Sequence, residues 1–173
     1  VDDEEANLYA ENISYSLDET EMEIIYRDVK SVNGEILNGN MTVKTFAPGA
    51  HHAGNVLGVV LTALALNIPE KRIIEGLVNY NGITGRTNKR GNDGITIIEE
   101  INPGINTDAI RQSINMIDDL ENYYVSIGGD YGITCEEIDE DKVSKYLDTL
   151  TCNIILTGDV GASIAKKITN SYT

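Results

Sequence analysis

The sequence predicts an α/β fold in which a β-meander and two helices precede a Rossmann-like domain, a parallel sheet with helices on both faces. Three observations support this prediction. Short β-type runs separated by Asn-Gly pairs occupy residues 22–46, two helical segments follow over residues 50–81, and strands alternate with helices from residue 95 onward. We therefore expect two domains, residues 1–87 and residues 88–173.

The composition limits the function classes. The 173 residues include 28 Asp and Glu against 13 Lys and Arg, a net charge of −15 that disfavours nucleic acid or an anionic membrane as partner. Because no window approaches about twenty apolar residues, we expect no membrane span. Cys135 and Cys152 indicate neither a disulfide framework nor a zinc site, which favours reduced thiols and a cytoplasmic location. The opening is acidic, unlike a signal peptide, and begins with Val1, so we treat the chain as a fragment.

The first domain begins with polar, acidic residues 1–21, which have only a weak helical tendency. An antiparallel meander is predicted over residues 22–46, because two Asn-Gly pairs between its β-type runs supply the positive φ of tight turns. The runs are Glu23–Tyr26, Glu35–Leu37 and Met41–Phe46, and the pairs are Asn33-Gly34 and Asn38-Gly39.

Two helices are predicted after the break at Pro48-Gly49. The first, over residues 50–66, is apolar nearly all round, which predicts burial on most sides. The second begins at Pro69, a residue favoured at the first helical position, and ends at Asn81-Gly82. Residues 82–94 are rich in Gly, Asn and charge, so we expect the domain boundary there.

The second domain alternates strands with helices. The predicted strands are Ile95–Glu99, Tyr123–Ile127 and Asn153–Leu156, and the predicted helices are Thr107–Leu120, with Thr107 as N-cap, Asp139–Leu150 and Ala162–Thr169. This alternation predicts a parallel sheet whose strand-to-helix loops lie at one edge. Ligands bind at that edge in open α/β sheets. The loops there, residues 101–106, 128–132 and 157–161, are rich in Gly, Asn and Asp.

Candidate site residues stand at three places. His52 and Asn55 are three apart and share a helix face from which they could bond a purine or ribose; the alternative is helix capping. Arg86 at the domain junction could reach a phosphate; the alternative is a solvated linker residue. Glu99 and Glu100 could hold a cation or act in acid–base chemistry, or one of them could cap the next loop.

Two chemistries are disfavoured. Cys135 has acidic neighbours and no nearby base, so we do not expect a nucleophilic thiol. The turn around Asp159 is not a Walker A motif, and none occurs in these residues, so they cannot build a P-loop NTPase alone. No metal site is predicted within the chain itself.

The sequence resembles the Mur ligase family in three stretches that follow one another in the order found in that family. They are Gly49–Asn55, Gly76-Leu77 with Gly85-Arg86, and Glu99–Pro103. The members of this family are ATP-dependent enzymes that join a carboxylate to an amine through an acyl phosphate. The resemblance implies that residues 1–87 are the C-terminal part of a central ATP-binding domain and residues 88–173 the C-terminal domain. It also implies ATP and magnesium, held mainly by a missing N-terminal region, and predicts that this chain alone is inactive.

The resemblance also assigns roles to residues. His52, which stands where the family usually has Asn, and Asn55 would contact the nucleotide, with Asn55 at the adenine. Arg86 would reach the ribose and phosphates, and Asn102 would meet the nucleotide from the second domain. The acidic residues of the sheet edge would belong to the substrate site or lid: Glu99, Glu100, Asp130 and Asp159.

Within the family, Glu-Glu-Ile-Asn-Pro-Gly-Ile-Asn and Gly-Gly-Asp-Tyr-Gly look unlike the bacterial peptidoglycan ligases. They look more like the methanogen Mur-type synthetases that close the last carbocyclic ring of a nickel tetrapyrrole coenzyme. Archaeal pseudomurein peptide ligases are one alternative. Two further alternatives are a non-catalytic α/β module that binds a nucleotide or metabolite, and an interaction domain with an acidic surface.

Overall fold

The computed structural model describes residues 3, 5–47, 49–83, 88–100, 106–117, 120, 122–132 and 138–173. The chain divides into two compact units, Val1–Ile83 and Thr84–Thr173. Each unit has its own hydrophobic core. The two units are therefore described separately.

The first unit contains an antiparallel meander of three strands in the order β1-β2-β3. Its strands differ from the predicted ones, since the two runs predicted as Glu35–Leu37 and Met41–Phe46 lie largely in one strand. The strands are β1 (Leu8–Tyr15), β2 (Thr20–Lys30) and β3 (Ile36–Thr45). The prediction for residues 1–21 was wrong, since β1 lies there. Its Tyr9 and Ala10 are buried, and its pairing with β2 along the edge overrides the polar local sequence.

The two Asn-Gly pairs have different roles. Gly34 has φ +82 in the turn between β2 and β3, which confirms a tight turn there. Asn38-Gly39 instead lies inside β3, beside a register shift in β2 where the Asp28 N–H donates to Asn38 Oδ1 at 3.0 Å. A Cβ on Gly39 would lie 2.5 Å from the Tyr26 hydroxyl oxygen. Glycine there serves close packing, not a turn.

Two helices cover one face of this sheet: α1 (Ala50–Ala65) and α2 (Glu70–Val78). The core lies between them and the strands, and it includes Met22, Ile24, Val43, Val60 and Leu64. Tyr26 also reaches this core, and its hydroxyl donates to Glu70. Burial, together with this carboxylate, raises the pKa of Tyr26 to about 12.

The prediction that α1 is buried on most sides was wrong. One face is buried, through residues such as Ala53 and Val60, whereas Val59 is 55% exposed and Leu66 is 56% exposed. The helix is apolar on both faces, but this unit covers only one of them. No helix in the described part of the chain is long and apolar enough to cross a bilayer.

The second unit opens with a hairpin of β4 (Asn88–Asn92) and β5 (Ile95–Glu99). Both were predicted differently: residues 88–92 were assigned to the linker, and Ile95–Glu99 to the parallel sheet. The described residues of β5 pair antiparallel with β4. Asp93-Gly94 joins them with φ values of +49 and +82, the conformation of a type I′ hairpin turn.

The parallel sheet consists of β6 (Tyr124–Gly128) and β7 (Asn153–Thr157), paired from Tyr124↔Asn153 to Gly128↔Thr157. The helices of this unit are α3 (Thr107–Asn115), α4 (Glu140–Leu147) and α5 (Gly158–Ile164). They bury one core with these strands, including Val143, Leu147, Ile154 and Ile164. The predicted α/β class is thus confirmed.

Helix starts differ from the predictions at two places. Asn106, not Thr107, is the N-cap of α3, since its side-chain oxygen accepts from the Ala109 N–H at 2.9 Å. Helix α5 begins at Gly158, so the predicted loop 157–161 is largely its first turn. A Cβ on Gly161 would lie 2.9 Å from the Leu156 carbonyl carbon, so this glycine allows close helix–strand packing and does not mark a loop.

Candidate functional site

The first candidate surface is the face of α1 that the unit leaves open. Gly49, with φ +90, turns the chain into the helix, and the His52 N–H donates back to the Gly49 carbonyl at 3.2 Å. His52 is half-buried and Asn55 is exposed. At three residues apart, both lie on the open face of α1, as the helical spacing predicts.

A shallow groove continues from Asn55 along the same helix. It is lined by Gly54, Asn55, Gly58, Val59, Thr62, Ala63, Leu66 and Ile68. Its walls are apolar, and the Asn55 amide is a polar group at one end. An apolar surface with a single amide suits a flat ring system with a hydrogen-bonding edge, such as a purine.

The second candidate surface is the carboxyl edge of the parallel pair in the second unit. Its two loops are joined by backbone hydrogen bonds: the Gly129 N–H donates to the Thr157 carbonyl at 3.3 Å, and the Val160 N–H donates to the Gly129 carbonyl at 3.0 Å. These bonds bring the loop that carries Asp130 beside the first turn of α5, which carries Asp159. Both carboxylates are exposed.

A hydrogen-bonded cluster behind this edge was missed by the sequence reasoning. The Glu140 carboxylate accepts from Ser163 Oγ at 2.6 Å and from the Tyr131 hydroxyl, and it pairs with Lys167 Nζ at 3.0 Å. The hydrogen bond from Ser163, then those from Tyr131 and Lys167, lower the pKa of Glu140 to about 2. Lys167 also pairs with Asp141 at 2.8 Å.

The cluster has a clear positional effect. Tyr131 belongs to the loop after β6, Glu140 to the first turn of α4 and Ser163 to α5. One ionised carboxylate therefore fixes the loop against two helices. The sequence signal was the acidic run Asp139–Asp141 at a helix start, but the contacting Tyr131, Ser163 and Lys167 are not marked by any local pattern.

The paired carboxylates at the end of β5 have different surroundings. Glu99 forms an ion pair with Arg90 across the β4–β5 hairpin. Glu100 lines a cavity of about 200 Å³ together with Ile98, Ile110, Ser113 and Ile127, among others. The Ser113 hydroxyl is buried there without a hydrogen-bond partner in the described structure. Among the described residues no group of three or more His, Cys, Asp or Glu could hold a metal ion.

Two predicted site residues, Arg86 and Asn102, lie outside the described residues, as does Cys135. Cys152 is half-buried and is not in a disulfide. The structure thus places His52 and Asn55 together in the first unit, and Asp130 and Asp159 together in the second. Glu99 pairs with Arg90, whereas Glu100 lines the cavity.

Residues 89–173 match the family described as coenzyme F430 synthetase CfbE, C-terminal domain. The coenzyme F(430) synthetase of Methanocaldococcus jannaschii is 34% identical over 76 residues, which are 44% of this chain and 19% of that protein. A UDP-N-acetylmuramoylalanine--D-glutamate ligase of Staphylococcus aureus is 36% identical over 78 residues, 40% of this chain and 16% of that protein. The match thus spans less than one fifth of either relative.

The fold has a counterpart among solved structures. The MurF ligase from Thermotoga maritima, in complex with ADP, matches with a TM-score of 0.63 and 17% identity over 94% of this chain and 36% of that chain. At this identity the match concerns the fold alone. Together with the sequence relatives, it confirms the predicted resemblance to the Mur ligases.

Proposed function

We propose that this chain is part of an ATP-dependent, ADP-forming ligase. The premise is that the chain is a Mur ligase relative and that its residues 89–173 match the C-terminal domain of coenzyme F430 synthetase. The observation that carries the proposal is the match over residues 89–173. The ligase relatives and the fold match over 94% of the chain support it.

In the proposed reaction ATP supplies the phosphoryl group that converts a carboxylate into an acyl phosphate. The face of α1 would bind the adenine, with the Asn55 amide at the ring edge and His52 one turn earlier. Its uncharged, partly apolar surface fits such a ring. Arg86 would contact the ribose and phosphates, and Asn102 would reach the nucleotide from the second unit. Magnesium and the triphosphate would be held mainly by a region outside these residues.

The second unit would serve as the lid. Its two joined edge loops carry Asp130 and Asp159, and we assign these, with Glu99 and Glu100, to the substrate side of the closed enzyme. Closure would keep water away from the acyl phosphate, which would otherwise be hydrolysed. We place the enzyme in the cytoplasm, and we propose that residues 1–173 alone are inactive because they contain no Walker A motif.

The proposed substrate is a propionate side chain of a nickel tetrapyrrole, which the enzyme would activate for closure of the last carbocyclic ring. The 34% identity to a coenzyme F(430) synthetase supports this choice. An archaeal pseudomurein peptide ligase is the second candidate, which the identity to a peptide-forming ligase supports. A non-catalytic nucleotide-binding module is the third.

The test uses the complete product of the gene that encodes this chain. ATP binding is measured by calorimetry, and ADP release is measured with the open-ring tetrapyrrole or with pseudomurein peptides. We expect ADP release with the tetrapyrrole and none with the peptides. Asn55→Ala should weaken ATP binding roughly tenfold, because it removes a hydrogen bond in a desolvated site. Asn33→Ala, an exposed amide in the β2–β3 turn, is the matched control.

Each result decides between the candidates. ADP release with the peptides alone would replace the tetrapyrrole assignment with the peptide one. ATP binding without ADP release from any carboxylate would favour the non-catalytic module. Ligation by residues 1–173 alone would contradict the proposed division of the enzyme.

A further inference from the structure

Three Asn-Gly pairs lie in the first unit: Asn33-Gly34, Asn38-Gly39 and Asn81-Gly82. Asparagine is a thermally labile residue, because its side-chain amide can be attacked by the backbone nitrogen of the residue that follows. Glycine hinders this attack least, since it has no Cβ. The sequence marks the three asparagines equally, so a difference in their reactivity must come from the structure.

Asn33 is held by the fewest contacts of the three. It is exposed in the turn between β2 and β3, and its side chain forms no hydrogen bond to the described part of the chain. A Cβ built on Gly34 would meet no atom within 4 Å, so the space around the attacking nitrogen is open. One contact must break: the Gly34 N–H donates to the Ser31 carbonyl at 2.9 Å. Such a bond in an exposed turn opens at little cost in free energy.

Asn38 is also followed by glycine, but the sheet holds both residues in place. Asn38 Oδ1 accepts from the Asp28 N–H at 3.0 Å, beside the register shift of β2. Gly39 pairs with Tyr26 inside the sheet, and the Tyr26 hydroxyl would lie 2.5 Å from a Cβ on Gly39. Attack on Asn38 therefore requires β2 and β3 to separate, which costs far more free energy than the opening of a turn.

Asn81 is intermediate between the other two. Its side-chain amide donates to the Asn79 carbonyl at 3.1 Å, so the nitrogen that must leave is held there. Gly82 packs against Phe46, since a Cβ on this glycine would lie 2.7 Å from the ring. These contacts restrain the pair, but they are weaker restraints than the pairing of two strands.

We propose that Asn33 is a site of spontaneous deamidation in the folded protein, and that the fold protects Asn38. The Gly34 nitrogen gives up its proton and bonds to Asn33 Cγ. The bond from Cγ to the side-chain nitrogen breaks, and ammonia leaves with that proton. Water then opens the cyclic succinimide at either carbonyl, which yields aspartate or isoaspartate. The net reaction consumes water and releases ammonia, and it needs no oxidant or reductant.

The product would affect α1 through the residue before Asn33. The Val32 N–H donates at 2.7 Å to the carbonyl of Ala65, the last residue of α1. This bond satisfies one of the carbonyls that a helix end leaves without a partner inside the helix. Isoaspartate inserts an extra carbon into the main chain of the turn, and it adds a negative charge to a chain whose net charge is already −15. We expect these changes to weaken the bond between Val32 and Ala65.

The test measures the formation of isoaspartate at each site by peptide mapping with mass spectrometry. The complete gene product is incubated in mildly alkaline buffer, once folded and once in guanidinium chloride, and the folded-state rate at each site is divided by the denatured-state rate. Because the denatured chain exposes all three pairs, this quotient measures protection by the fold. We expect the quotient at Asn33 to exceed that at Asn38 by about tenfold or more, with Asn81 between them.

Equal quotients at Asn33 and Asn38, or a smaller one at Asn33, would overturn the proposal. Asn33→Gln is the matched variant, since glutamine retains the amide but forms the corresponding ring far more slowly. Amide hydrogen exchange at Val32 should become faster as the wild-type protein ages, and it should stay constant in Asn33→Gln. Unchanged exchange in wild-type protein that has accumulated isoaspartate at Asn33 would overturn the expected effect on α1.

Discussion

Ser163 Oγ donates a 2.6 Å hydrogen bond to the carboxylate of Glu140, and this contact joins α5 to the first turn of α4. The same carboxylate accepts from the Tyr131 hydroxyl and pairs with Lys167. Because the Glu140 side chain is only 14% exposed, its charge depends on these partners. The position of the loop after β6 thus depends on one ionised group.

Glu140→Gln should destabilise the second unit. The amide keeps the shape of the side chain but loses the charge that three donors share, so we expect a loss of roughly 1.5–3 kcal/mol in the free energy of unfolding at neutral pH. The loss is measured by denaturant unfolding, monitored through the NMR chemical shifts of residues in this unit. Asp141→Asn, which removes only the exposed pair with Lys167, is the control and should cost less than about 1 kcal/mol.

The effect of Glu140→Gln should depend on pH. The folded-state pKa of Glu140 is lowered from 4.5 to about 2, so its contribution to stability is full above pH 4.5 and is lost as the pH falls towards 2. The stability difference between wild type and variant should therefore shrink over this range. A difference that stays constant from pH 6 to pH 3 would contradict the assigned role of the charge.

Gly128→Ala should disrupt the parallel pair. A Cβ there would lie 2.7 Å from the backbone carbonyl carbon of Thr157, which cannot move without separating β6 from β7. We expect a loss of about 1–3 kcal/mol or more, as for overpacking of a core. Gly91→Ala in β4 is the matched control, since its nearest atom would be 3.8 Å away. Equal unfolding midpoints for the two variants would refute this view of the strand contact.

The start of α3 offers a comparison of neighbouring residues. Asn106→Ala removes the cap to the Ala109 N–H and should cost about 0.5–2 kcal/mol. Thr107→Val should cost little, because the Thr107 hydroxyl is buried without a partner in the described structure. Thermal unfolding of the two variants measures the difference. The reverse order of stability would restore Thr107 as the cap.

Asp148 fixes the segment after α5. Its Oδ1 accepts the N–H groups of Thr169 and Asn170, each at 2.8 Å, and these bonds lower the pKa of the carboxyl group. Asp148→Ala should therefore speed amide hydrogen exchange at residues 169 and 170, whereas Asp148→Asn, which retains a carbonyl oxygen, should restore part of the protection. Unchanged exchange in Asp148→Ala would show that the bonds do not hold this segment.

The sequence predicted the positions of those helices and strands that are marked by a local apolar periodicity. Helices α1, α2 and α4 and strands β6 and β7 lie close to their predicted positions, since apolar spacing fixes each of them. Strand β1 was missed, because its pairing with β2 depends on residues far along the chain. Glycines were one source of error: Gly39 and Gly161 serve close packing inside elements, which local sequence does not distinguish from a turn.

The candidate site was predictable to a smaller extent. His52 and Asn55 follow from helical spacing, and Asp130 and Asp159 from their places after two parallel strands. The Glu140 cluster was not predictable, since it brings together side chains from three separate segments. Assignment of Arg86 and Asn102 to the nucleotide stays a prediction.

The two hydrogen bonds of Gly129 have a kinetic consequence. Because this residue bonds to both Thr157 and Val160, the loop after β6 and the start of α5 are joined before any ligand arrives. The substrate that we propose to bind near Asp130 and Asp159 would meet two loops that are already joined. Its association rate should therefore be governed by diffusion and charge, and not by slow, separate motions of the two loops.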